Sequence, residues 1–177
     1  MKHTITRIST IIAMTLIIVY SCSKKNADPV PVEDNEDLSL YLHSKDTTGF
    51  VWYKNDDTIL GIATLPGHDL PKVRTRYNAE AASKLDANGK VIVGSVFATN
   101  SLIVKELFDT LNNFKEYAVM CKAPNSPNAD AYGWVWGIYS PAGDVESSVK
   151  GQGASCTGCH QNTAGSIDLT LMNAGHP

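Results

Sequence analysis

Cys156, Cys159 and His160 place two thiols and an imidazole at positions i, i+3 and i+4, with only Thr157 and Gly158 between the cysteines. Residues three and four apart share one face of a helical turn. A C-x-x-C-H string in this order reads as covalent attachment of c-type haem. Each cysteine would take one vinyl group as a thioether, and His160 would turn its imidazole to the iron. Small Thr157 and Gly158 leave room for a macrocycle against the backbone. The expectation is one covalent haem c, bound by Cys156, Cys159 and His160, with His160 as the axial metal ligand.

Two other chemistries use the same spacing. A zinc site needs about four ligands. The motif supplies three, with Cys121, His43, His68 or His176 left as the fourth, and no second C-x-x-C or H-x₃-H follows. A thioredoxin-type pair opens a helix after an early strand, whereas this motif comes late in the chain.

The elements around the motif start with an export signal. Lys2 and Arg7 precede an apolar run from Ile11 to Tyr20, a charged region followed by a hydrophobic one. The run is shorter than the ~20 apolar residues of a membrane-spanning helix. It ends in Val19-Tyr20-Ser21-Cys22, which resembles a bacterial lipobox. By that resemblance residues 1–21 are a lipoprotein signal peptide and Cys22 is lipidated, so the chain is tethered by acyl groups on the periplasmic or cell-surface side of a bacterial membrane. Val19 and Tyr20 differ from the commoner Leu-Ala, so a plainly cleaved signal stays open. Export agrees with c-type haem, which is attached outside the cytoplasm. Cys121, in the apolar run Ala118-Val119-Met120-Cys121, is then the one thiol left over and reads as buried and inert.

Residues 22–38 read as a linker. Asp28-Pro29-Val30-Pro31 and Glu33-Asp34-Asn35-Glu36-Asp37 combine extended proline geometry with like-charge repulsion, which makes a solvated, semi-rigid spacer. The full chain carries a net charge of −3, and loss of Lys2 and Arg7 makes it more acidic. That argues against nucleic acid, and against an anionic membrane surface, as a partner. A hydrophobic content of 43% is ordinary for a globular domain.

Residues 39–177 suit a single domain. Its expected class is mainly β (α+β): one antiparallel sheet, a few short helices and a C-terminal haem-binding helix. Strands are predicted at Phe50–Tyr53, Val91–Phe97, Leu102–Leu107, Tyr117–Met120 and Trp134–Tyr139, all rich in β-branched or aromatic residues. A helix is predicted from Ala79 to Ala87, capped by Asn78 and stopped by Gly89. Lys122–Ala131, with two prolines and two asparagines, is a loop, and Gly151-Gln152-Gly153 breaks the chain before the motif. The four-helix cytochromes c′ also carry a late motif, but a bundle needs four long amphipathic helices, and one short helix is on offer.

A β-rich exported chain with a late C-x-x-C-H resembles the cytochrome P460 family, which includes the β-sheet cytochromes c′. Pro71–Asn78 looks like that family's strand leading into its first helix. Ser101–Phe108, containing Ile103-Val104-Lys105-Glu106, resembles its "VIVKE" strand. Tyr117–Lys122 is similar to its "WFVMVK" strand, and Gly133–Gly137 to its Gly-Trp-rich strand. The series runs in order over residues ~60–160.

The resemblance implies a five-coordinate haem below which His160 is proximal, with the other face open to a small molecule. Some members carry a lysine cross-linked to the macrocycle and oxidise hydroxylamine; others lack it and bind nitric oxide. Lys105 is the candidate for a haem cross-link, the alternative being a strand lysine facing water or pairing with a carboxylate. The oxidising members have a distal carboxylate at a position that Ala123 matches here, with a neighbouring acid such as Glu116 as a candidate substitute, so hydroxylamine oxidation is the less supported chemistry. Phe97, Phe108 and Met120 are candidates to line the distal face and equally good candidates for ordinary core. A six-coordinate electron-transfer cytochrome is the alternative, with Met172, His176, His43 or His68 as second ligand; His68, in Pro66-Gly67-His68-Asp69, reads as a surface turn. The implied partners are nitric oxide or hydroxylamine, a periplasmic redox partner and, through sheet packing, a second copy of the chain.

Overall fold

The computed structural model describes residues 35–61 and 68–176. The signal peptide, Cys22 and most of the expected linker lie outside them. Among the described residues no helix is long and apolar enough to cross a membrane.

The framework is one seven-stranded antiparallel sheet. Its strands are β1 (Val51–Trp52), β2 (Leu60–Gly61), β3 (Lys72–Tyr77), β4 (Leu102–Phe108), β5 (Phe114–Lys122), β6 (Trp134–Tyr139) and β7 (Val145–Ser147). The order is β1-β3-β4-β5-β6-β7, and β2 also pairs with β3, at Leu60↔Val73. Four α-helices, α1 (Glu36–Lys45), α2 (Ala79–Ala82), α3 (Thr157–Asn162) and α4 (Met172–Gly175), and two short 3-10 turns, Tyr53–Asn55 and Val149–Gly151, complete the described structure. A mainly β, single-sheet fold is what the sequence leads one to expect.

Successive strand residues point to opposite faces, and both faces here are covered. On one, Val104, Val119, Cys121, Val135 and Tyr139 pack against Leu40 and Tyr41 of α1. On the other, Ile103, Met120, Trp134 and Trp136 pack against Phe97, Ile167, Leu169 and Met172. Double coverage explains why β4 and β6 read as near-continuous apolar runs rather than alternating ones.

Three expectations are corrected. The linker ends sooner than residue 38. Glu36 and Asp37 open α1, where carboxylates complement the helix dipole. Glu36 is buried and accepts hydrogen bonds from Ser126 and Asn128. Asp37 accepts from the Tyr139 and Ser148 hydroxyls and the Val149 amide. These acids are anchors, not spacer.

The helix expected over Ala79–Ala87 stops at Ala82. Its start is as read, with Asn78 Oδ1 accepting the Ala81 amide. Its end is set by a competing turn, in which the Asp86 carboxylate takes the amides of Asn88 and Lys90. Gly89 (φ +71°) lies so close to the Lys54–Asn55 backbone that a Cβ would sit 2.5 Å from the Asn55 nitrogen.

Val91–Phe97 is not a strand. Val91 makes one bridge to Leu85, and its amide and carbonyl are taken by Asn173. Gly94 then turns the chain at φ +80°, and Val93 and Val96 are exposed. Among the described residues the β-branched run has no neighbouring strand to pair with, and propensity without a partner does not make a strand.

The α1 face also holds a buried charge cluster that sequence reading missed. Arg76 has no exposed surface. Its guanidinium donates to Glu106 and to the Ser44 carbonyl, and Arg74 Nε donates to the same Glu106 at 2.8 Å. Phe50, Trp52 and Tyr117 surround Arg76, with ring centroids 5.5–5.9 Å away. Removing one partner of a buried pair strands the other charge. Glu106→Ala should therefore lower unfolding stability by about 3–5 kcal/mol, measurable by urea titration. A loss below 1 kcal/mol would mean that water reaches the guanidinium.

Candidate functional site

The chain reaches α3 through two left-handed residues, Gln152 (φ 48°) and Gly153 (φ 68°). A Cβ at Gly153 would sit 2.5 Å from Thr157 Oγ1 and 2.6 Å from the Trp136 ring, so glycine is required there on both counts. The Gly153 carbonyl accepts the amides of Cys156 and Thr157 and starts the turn. The His160 amide then bonds the Cys156 carbonyl at 3.1 Å, one helical turn apart, as the shared-face reading requires. Cys156 is half-buried, Cys159 exposed and His160 buried.

The His160 ring is held on three sides. Nδ1 lies 2.6 Å from the Leu169 carbonyl oxygen. A carbonyl only accepts, so Nδ1 carries the proton and Nε2 keeps a free lone pair, the tautomer a metal ligand needs. The Trp136 ring meets the imidazole edge-on at 4.9 Å, and the His68 ring lies at 6.5 Å, almost perpendicular. The Leu169 carbonyl is aimed by strained backbone: Asp168 and Leu169 have φ of 42° and 66°, a conformation disfavoured for a leucine. Asp168 is held there by Lys122 at 3.0 Å and by the Phe97 amide at 2.8 Å.

Asp130 is the positioning residue that sequence reading missed. One carboxylate oxygen accepts Trp136 Nε1–H at 2.8 Å and the Thr157 hydroxyl at 2.9 Å. The other accepts the Tyr132 and Trp134 amides. One side chain thus ties β6, the ring beside His160 and the first residue of α3. Its Asp130-Ala131-Tyr132-Gly133 setting announces a turn, which hides the second role.

Beside His160 is a small cleft whose lining includes His68, Lys105, Met120, Trp136 and Cys156. Lys105 comes from the middle of β4, in register with Thr75 and Ala118. Among the described residues no carboxylate pairs with it or lines the cleft. Burial pushes the Lys105 amine down to about 8, opposed in part by Cys156. Burial, and then the Lys105 charge, push His160 to about 3 and His68 to about 4. Both imidazoles are therefore neutral at physiological pH, the form that binds metals.

The other candidates are sorted by face and by partner. Met120 lines the cleft. Phe97 shares its face but packs edge-on against Trp134 in the core. Phe108 instead packs on Phe114 under Arg74. Ala123 is buried in the core of the α1 face. Glu116 does not line the cleft; burial, Glu146 and Asp69 raise its carboxyl. Cys121 is buried on the α1 face with its thiol pushed up to about 12 by burial, an inert group as expected. The Met172 sulfur accepts the Thr75 hydroxyl, His176 packs on Tyr53, and His43 bonds its own helix at the Ser39 carbonyl. His68 is corrected from surface turn to cleft wall.

The residues present fit a haem. The donor set is two free thiols and an imidazole with Nε2 available. A Cβ at Gly158 would meet nothing within 4 Å, so open space lies beside the residue expected to leave room. Among the described residues no group of three or more His, Cys, Asp or Glu is placed to hold a bare metal ion. Asp130→Ala would leave four donors without their acceptor and should lower stability by about 2–3 kcal/mol, measured by thermal unfolding. Asp130→Asn, which keeps a carbonyl acceptor, should lose less; equal losses would mean that the charge matters more than the geometry.

Comparison with curated proteins and with solved structures gives no match. A family model does match, and the family is cytochrome P460, over residues 53–170. That span takes in the strands that form the cleft, the C-x-x-C-H turn and the Leu169 carbonyl behind His160, and on it the chain belongs to the cytochrome P460 family of haem cytochromes.

Proposed function

We propose that the chain is an exported mono-haem c-type cytochrome that binds small nitrogen species, nitric oxide in preference to hydroxylamine, at the cleft beside Lys105. In this reading Cys156 and Cys159 hold the haem through thioethers, and His160 ligates the iron through Nε2. The iron supplies an axial site for small molecules and one-electron redox chemistry.

The observation that carries the reading is the placement of Lys105. It shares a cleft with His160 and Cys156 and has no carboxylate partner among the described residues. An uncompensated amine in a desolvated wall is expensive in a purely structural strand, and it stands where the resemblance places the cross-linking lysine. With burial lowering its amine to about 8, Lys105 has a sizeable neutral, nucleophilic fraction near that pH and is the residue suited to a covalent link.

The family's proton-accepting carboxylate has no counterpart in the described lining, where Met120, Trp136, Ala118 and Ile138 supply apolar surface. Such a wall suits an uncharged diatomic better than proton-coupled oxidation. Trp136 and the Leu169 carbonyl hold the imidazole plane and its tautomer, which sets ligand basicity. Lipidation at Cys22, export, a periplasmic redox partner and a homodimer belong to the same proposal; a tethered haem domain outside the cytoplasm would meet nitric oxide as it crosses the membrane.

Ferrous protein, matured with haem, should bind nitric oxide and carbon monoxide and show little hydroxylamine oxidation. Failure to bind either gas would remove the proposal. Lys105→Ala should shift the main absorption band and the intact mass relative to simple substitution. An unchanged band would exclude the cross-link and place the chain with the members that bind nitric oxide without one.

A further inference from the structure

We propose that Trp136 is a one-electron donor to the haem, with the oxidised indole held as a radical cation against the Asp130 carboxylate, so that the site also consumes peroxide. The inference rests on the haem reading above and adds a second activity to the same site.

Two contacts and one property single out this ring. Trp136 meets the His160 imidazole edge-on, with centroids 4.9 Å apart, so an electron leaving it crosses no gap to reach the expected iron ligand. Its Nε1–H donates to Asp130 at 2.8 Å. A carboxylate beside a ring favours positive charge on that ring, the more so where water is excluded, and Trp136 is only 4% exposed. Asp130 is fixed in turn by the Thr157 hydroxyl and the Tyr132 and Trp134 amides, so the countercharge does not swing away.

The neighbouring rings are poorer donors. Trp134 lies 6.5 Å beyond Trp136, and Lys122 Nζ sits 4.7 Å over its ring. A cation held on the face of an indole opposes removal of an electron from it, because the contact depends on the ring's negative face. The Trp134 Nε1 is 3.4 Å from Asp168, a carboxylate already paired with that lysine at 3.0 Å. A phenol sheds its proton when it loses an electron and needs a base to take it. The buried Tyr77 hydroxyl has no hydrogen-bond partner among the described residues, and the Tyr53 hydroxyl donates to the His176 carbonyl oxygen, which is not a base. The hole therefore rests on Trp136.

An indole yields an electron only to a strong oxidant, which the binding of a diatomic does not create. The oxidant here is hydrogen peroxide. Breaking its O–O bond takes up two electrons and two solvent protons and releases two waters. The haem supplies one electron and Trp136 the other, while the Nε1–H proton stays on the ring in its bond to Asp130. A one-electron reductant then refills both.

The test uses the full chain matured with haem, with covalent attachment verified by intact mass. Ferric protein mixed with one equivalent of hydrogen peroxide and frozen should show an organic radical by electron paramagnetic resonance. The signal should narrow when the protein is grown on ring-deuterated tryptophan. It should vanish in Trp136→Phe and persist in Trp134→Phe. Asp130→Asn keeps an acceptor for the indole and removes the charge, and its radical yield should fall about tenfold, the weight of one charge-assisted hydrogen bond. If Trp136→Phe fails to take up haem, the deuterium effect in the wild type and the Asp130→Asn yield still decide. A haem-loaded wild type that gives no radical, a radical indifferent to tryptophan deuteration, one that survives in Trp136→Phe, or an undiminished yield in Asp130→Asn would overturn this inference and leave the proposed function to its own gas-binding test. A wild type without covalent haem would overturn both.

Discussion

The arrangement of the site depends on one hydrogen bond, from His160 Nδ1–H to the Leu169 carbonyl. It selects the tautomer, leaves the Nε2 lone pair free and joins α3 to the segment that follows it. That carbonyl is in place because two residues accept left-handed backbone, and the strain of such residues persists only where the surroundings over-determine them. Here the surroundings are the Asp168 links to Lys122, Phe97 and Trp134. A chain of contacts thus runs from the end of β5 through Asp168 to the imidazole. Asp130 closes a second chain, from β6 through Trp136 and Thr157 to the same helix.

The sheet divides its labour between faces. The α1 face is fastened by apolar packing and by a buried Arg76–Glu106–Arg74 cluster with anchored acids at the helix start. These interactions hold geometry on the face away from the cleft. The opposite face carries the cleft, and there the polar groups are left without countercharge: Lys105, His68 and His160 face one another with no acid between them among the described residues. Burial keeps both imidazoles neutral and lowers the amine, the states that metal ligation and covalent attachment would need.

Much of the fold was legible before any coordinates. β4, β5 and β6 announce themselves because they are long, β-branched and aromatic, and lie centrally in the sheet. The short elements were not legible. Val91–Phe97 has the composition of a strand but no strand beside it, and Asp86 ended α2 early through a turn whose strength lies in side-chain bonds. The acids of α1 looked like a solvated run because charge density says nothing of the hydroxyls and amides that wait for them 90 to 112 residues away.

The site divides the same way. Cys156, Cys159 and His160 are named by their spacing alone, since i, i+3 and i+4 meet on any helical turn. Lys105 was nameable through its resemblance, but its face, and its lack of a carboxylate partner among the described residues, are facts of register and burial. Asp130, Asp168 and the nearness of His68 to His160 are decided by the tertiary structure only. Local spacing is a property of the backbone's periodicity and travels with the sequence. Distances across a cleft depend on how separate strands pair and how their connections pack, and no short string of residues encodes them.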